Sequence, residues 1–158
     1  MKNGHFYITV ALLNLSFYTH PTFNVTFEKS LPHYAVTKIE MNLSAMGVES
    51  DGFPYIQATI DFKRNSSICK VSYDNPKFKD STYSLTVTEM KEILNILQKT
   101  DLAHIKKEYK TGPTDQPTST TIIYTAKKEF RIEDYALQAK YPLSKLYKIV
   151  YKLKSNFR

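Results

Sequence analysis

The chain has 158 residues, of which 42% are hydrophobic, 23% charged and 13% aromatic, a globular composition of one-domain size that argues against intrinsic disorder. Four glycines leave little material for a glycine-rich phosphate loop or a dinucleotide fingerprint, and the single cysteine, Cys69, excludes an intrachain disulfide or a thiolate zinc cage. The net charge of +7 is concentrated at one end: residues 140–158 carry six bases, Lys140, Lys145, Lys148, Lys152, Lys154 and Arg158, and no acid.

At the N-terminus, Lys2 and the apolar run Phe6 to Leu13, followed by Leu15 and Phe17, have the short basic start and apolar stretch of a secretory signal. Asn14 interrupts the run and no Ala-x-Ala site follows. It is also shorter than the roughly 20 apolar residues a membrane-spanning helix needs. Two readings stand, with the first placed slightly ahead: a signal or export segment over residues 1–25, or an N-terminal strand in which Leu13, Leu15 and Phe17 alternate with Asn14, Ser16 and Tyr18. One α+β domain then spans residues 26–158.

Within that domain, Ile39, Met41 and Leu43 alternate with Lys38, Glu40 and Asn42, which predicts a strand over Val36 to Leu43 with one buried face. Gly47, Asp51-Gly52 and Pro54 mark a loop. A strand over Tyr55 to Phe62, the polar turn Lys63 to Ser66 and a strand near Ser67 to Tyr73 read as a hairpin. Asp74 to Asp80, with Pro76, reads as loop. Thr86 with Glu89 forms a capping box ahead of a helix whose Met90, Ile93, Leu94 and Leu97 share one face, opposite Lys91, Glu92, Asn95 and Lys99. A short turn follows around Asp101 to Tyr109. Beyond a loop with Gly112, Pro113 and Pro117, the runs Ser119 to Thr125 and Lys128 to Glu133 predict a second hairpin about Ala126-Lys127. Pro142 then opens a final helix from its first position. This order predicts an α+β fold with a mostly antiparallel sheet of about five strands and two main helices packed on one face.

Phe53-Pro54-Tyr55-Ile56-Gln57-Ala58-Thr59-Ile60, and later Asp115-Gln116-Pro117, the second hairpin, Glu133-Asp134-Tyr135 and Pro142-Leu143, resemble an uncharacterised bacterial domain-of-unknown-function family. Its members are typically exported or lipid-anchored and carry a Cys-x-Gly-x-Cys-Pro segment leading into a strand. The likeness covers roughly Ala35 to Leu153. Phe53 stands in place of the second family cysteine, and no cysteine lies near Glu49, where the first would fall. Any redox, disulfide or metal role of that pair is therefore absent. The resemblance implies a fold and an envelope address, and no reaction.

Few residues suggest chemistry. His5, His20, His33 and His104 are scattered, with no H-x-x-x-H or H-E-x-x-H. His104 has Glu108 four residues on, which reads as a surface ion pair rather than a metal site. Cys69, in Ser67-Ile68-Cys69-Lys70-Val71, reads as a small core hydrophobe rather than a nucleophile. No G-x-S-x-G elbow is present. Asp61, Asp115, Glu133 and Asp134 lie at strand ends or in a loop, and a carboxylate-dependent hydrolase would need them to converge. Sequons at Asn14, Asn24, Asn42 and Asn65 matter only in a eukaryotic secretory route. No cofactor and no metal is expected.

On a helical wheel, Lys145, Lys148 and Lys152 cluster opposite Leu143, Leu146, Val150 and Leu153, with Tyr147 and Tyr151 flanking the apolar stripe. This basic face is the candidate binding surface for an anionic partner. The excess of Lys over Arg and the favourable helix dipole make a solvated face of a packed helix the leading reading, and nucleic acid an unfavoured partner. The abundant Tyr and Phe read chiefly as core rather than as an aromatic binding surface. The sequence thus predicts a small non-enzymatic binding or structural module. It is exported to the periplasm or cell envelope under the signal reading, and cytoplasmic under the strand reading.

Overall fold

β-branched residues alternating with polar ones give each central strand two unlike faces, and in a sheet the apolar face must be covered. The computed structural model describes residues 34–44, 52–110 and 115–153 of the chain. Its strands are β1 (Val36–Ser44), β2 (Tyr55–Asp61), β3 (Ser66–Ser72), β4 (Ser81–Tyr83), β5 (Glu108–Tyr109), β6 (Thr118–Thr125) and β7 (Glu129–Tyr135). The helices are α1 (Val87–Gln98) and α2 (Leu143–Val150), with a single 3-10 turn at Leu102–His104.

The strands form one seven-stranded sheet in the order β4-β3-β2-β1-β6-β7-β5. Every pairing is antiparallel except that of β5 with β7, which is parallel. The fold is therefore α+β, with two strands more than expected and a mixed sheet. The additions, β4 and β5, have three and two residues. Such short segments carry no readable alternation and are held in place by their neighbours. Both hairpins form, and Asn65 takes the left-handed conformation (φ 49°) in the first turn.

Register explains the two faces. Tyr83, Cys69, Ala58, Met41, Thr121 and Ile132 follow one another across the sheet on one face. Ile68, Thr59, Glu40, Ile122 and Arg131 do so on the other. The first face is covered: Ile39, Met41, Ile56, Ile60, Ile123 and Ile132 are buried with Ile93 and Leu97 of α1 and Leu143, Leu146 and Val150 of α2. On the opposite face Gln57, Thr59, Ile68, Lys70 and Arg131 are exposed.

The α1 start follows the sequence closely. Thr86 Oγ1 accepts from the Glu89 amide at 3.2 Å while Glu89 Oε2 accepts from the Thr86 amide at 2.7 Å. Ile96 is buried with Met90, Ile93 and Leu97, whereas Leu94 is half-buried. The start of α2 differs from expectation: Pro142 is the capping residue, not the first helical one. The helix also stops at Val150, and Lys152 adopts a left-handed φ of 50°. His104 Nδ1 lies 2.7 Å from Asp101 Oδ2, because its turn ends at His104 and Glu108 belongs to β5. Residues 1–25, including Phe6–Leu13, lie outside the described residues, as do His5, His20 and His33.

Candidate functional site

Lys145 and Lys148 are exposed on the outer side of α2 and form no ion pair among the described residues. Lys152 does not share their helical face. Its left-handed backbone turns it toward α1, where Nζ sits 2.7 Å from Glu89 Oε1 and 5.3 Å from the centroid of the Tyr83 ring. The wheel assumed a helix running past Leu153, and an early helix end separates the three lysines. Lys152 beside Glu89 and the Thr86 amide holds the Glu89 carboxyl below its ordinary value.

The turn at Lys152 opens onto a depression of about 350 Å³, within the size range of small-ligand sites. Its aromatic lining is Tyr73, Phe78, Tyr83 and Tyr151, and Ile56, Val71, Pro54 and Leu153 add aliphatic surface. Each ring is placed by identifiable local chemistry. Past β3, Asp80 Oδ1 accepts from the Tyr73 amide at 3.3 Å. Asn75 bonds the Lys77 amide through its side chain and the Phe78 amide through its carbonyl. These bonds fold residues 74–80 back, so that Phe78 stacks on Tyr73 at 5.3 Å. Phe78 also lies against Gly52, where an added Cβ would come within 3.1 Å of its ring. Phe78 remains 44% exposed, although its ring is held by Tyr73 and Gly52.

The opposite wall is fixed from α2. Tyr83 Oη donates to the Val150 carbonyl, satisfying an orphaned carbonyl at the helix end. Tyr151 stacks on Tyr147 at 5.5 Å and shares a 2.7 Å hydrogen bond with Ser119 Oγ. Burial pushes the Tyr83 and Tyr151 phenols upward from their ordinary value, so both stay neutral in the fold. Cys69 lies buried next to Tyr83, and burial pushes its thiol up to about 11. That opposes thiolate formation at neutral pH, which leaves Cys69 as packing material.

A second, sealed polar cluster lies under α2. Asp134 is fully buried and accepts from the Gln138 amide, the Ala139 amide and Tyr147 Oη at 2.8, 2.9 and 2.9 Å. Its neighbour across the strands is buried Ser119. Asp134 therefore sits on the covered face, whereas Asp61, in register with Lys38, sits on the open face and accepts from the Arg64 amide. The two carboxylates cannot act on one bond. Glu133 is on the open face beside Arg131, at 3.2 Å, and Asp115 lies before β6. Among the described residues no group of three or more His, Cys, Asp and Glu could hold a metal ion.

The aromatic lining was hard to find from the sequence because Phe78 and Tyr83 fall in a loop and a three-residue strand with no periodicity. The turn residues Asp74, Asn75, Pro76 and Asp80 flanking an exposed Phe78 were the available signal.

No helix among the described residues is long and apolar enough to cross a membrane. Neither the curated proteins nor the solved structures match this chain. A family model does match, and it takes in the rings and the α2 end that shape the depression: over residues 53–154, well over half of its length, the chain belongs to the family described as Domain of unknown function (DUF6438).

Proposed function

We propose that the chain is a non-catalytic binding module, one domain over residues 26–158, that seats an apolar or aromatic group in the depression beside Phe78. The observation that carries this reading is the convergence of Tyr73, Phe78, Tyr83 and Tyr151 on one concavity with Lys152 at its rim. Rings already fixed by hydrogen bonds and stacking lose little freedom when a ligand binds. The separation of Asp61 from Asp134 and the raised Cys69 thiol weigh against acid–base or thiol chemistry.

Indole titrated into the isotope-labelled chain tests this. Amide shifts should concentrate at Val71, Tyr73, Phe78 and Ser81, and Phe78→Ala should weaken binding about tenfold, the equivalent of roughly 1.4 kcal/mol. Shifts scattered over the surface, or unchanged affinity in Phe78→Ala, would remove the proposal. Export remains part of it, supported by the Phe6–Leu13 run. A full-length mass in the cytoplasmic fraction would remove that part. Lys145 and Lys148, exposed and without an ion pair among the described residues, support a second reading in which α2 meets an anionic surface. Salt-sensitive heparin retention that falls in the Lys145→Gln, Lys148→Gln double variant would favour it.

A further inference from the structure

We infer that β4 is a docking edge for an extended peptide, which adds to the sheet as a further strand with alternating apolar and acidic side chains. This inference rests on the depression being a binding seat and names its ligand class. β4 ends the sheet, so one row of its backbone amides and carbonyls has no strand beside it among the described residues. Strand addition at such an edge takes affinity from backbone pairing and specificity from pockets that receive alternate side chains.

Both kinds of pocket are present. On the covered face, Ser81 and Tyr83 border the aromatic depression. On the open face, a polar cleft of about 450 Å³ is lined by Gln57, Lys70, Asp80 and Thr82. The register explains the division: Ser81 lies opposite Val71, and Thr82 lies opposite Lys70. The two concavities meet at Val71 and Ser81, an opposed pair that lines both. Successive side chains of a strand point to opposite faces, so a chain laid along β4 offers one residue to the rings and the next to the cleft. Neither a flat small molecule nor a helix meets both.

Charge selects the cleft-facing residue. Lys70 is exposed and forms no ion pair among the described residues, and exposed Lys77 and Lys79 precede β4 in the chain. Asp74 and Asp80, which accept from Tyr55 Oη at 2.8 Å and from the Tyr73 amide, keep their negative charge, so three lysines stand against two carboxylates and the edge is net positive by one. An acidic side chain therefore suits the cleft, and an apolar or aromatic one the depression.

Random short peptides displayed on phage and selected on the full chain provide the test. The expected enrichment is apolar residues at every second position with Asp or Glu between them. A synthetic copy N-methylated on one alternate set of amides should lose binding at least tenfold, while methylation of the other set is tolerated, because only one edge of the peptide pairs. Lys70→Glu, an exposed site whose change leaves the core untouched, should reverse the preference from acidic to basic. The inference is overturned if nothing is enriched, if enriched peptides lack alternation, or if both methylated sets bind equally. Hydrogen exchange showing the outward amides of Ser81–Tyr83 already protected in the free chain would also overturn it, since the edge would then be filled by the chain itself or a second copy. If indole still shifts the Phe78 region while peptides fail, the depression stands as a binding seat and strand addition alone is lost.

Discussion

Asp134 shows how a single polar side chain sets the path of the backbone. The two residues after β7, Ala136 and Leu137, are both left-handed, with φ of 62° and 52°. That conformation costs non-glycine residues roughly 1–2 kcal/mol each. The Asp134 carboxylate offsets this by taking the Gln138 and Ala139 amides and the Tyr147 hydroxyl, which points the chain back over the sheet into α2. Asp134→Ala leaves these donors unmatched and should cost about 3 kcal/mol by urea unfolding, against about 1 kcal/mol for Tyr147→Phe. Thr121 presents the reverse case: its Oγ1 is buried with no hydrogen-bond partner among the described residues. Thr121→Val, of the same shape, should raise stability by about 1 kcal/mol, read as a higher unfolding midpoint. In the sequence Asp134 is legible only as an acid near a strand end; in the structure it follows Ile132 on the covered face, and an inward acid has no sequence signal for its partners. These come from a loop and a helix that only folding brings near.

At the scale of elements, the junction of α1 with the end of α2 is the most informative. Glu89 closes the capping box of α1 and also pairs with Lys152, so one carboxylate ties a helix start to the segment leaving a helix end. Its pKa is lowered in the fold, first by the Lys152 bond and then by the Thr86 amide. A lowered carboxyl stabilises the fold above its ordinary value near 4.5 and loses that contribution as pH falls through the folded value. Glu89→Gln keeps an acceptor for the Thr86 amide but not the ion pair. The native chain should therefore exceed Glu89→Gln by about 1 kcal/mol at neutral pH, and the difference should close as pH falls below 4.5 through the folded value, measured by urea unfolding across pH. The box was legible because capping is local, spanning Thr86 to Glu89. The Lys152 contact was not, because residues 89 and 152 are neighbours only after both helices dock on the sheet.

For the whole molecule, β1 decides whether there is one sheet or two pieces. It lies between β2 and β6, and without it β4-β3-β2 and β6-β7-β5 have no shared partner. Residues 53–154 define the family match but exclude β1. A fragment of those residues should give no cooperative thermal transition by circular dichroism, whereas the full chain should. A fragment that melts cooperatively with native ellipticity per residue would contradict this central role. The long strands, both hairpins, the α1 cap and the buried faces of the two helices could be read from the sequence alone, since alternation, helical spacing and turn residues act over a few neighbours. The strand order, the added edges β4 and β5, the parallel β5–β7 pair and the ring-lined depression depend on pairings between residues far apart in the chain. Tyr83 meets Val150, Lys152 meets Glu89 and Ser119 meets Tyr151 only when α2 lies on the sheet. Local pattern determined which residues had to be buried, and tertiary packing decided which rings and strand edges were left side by side at the surface.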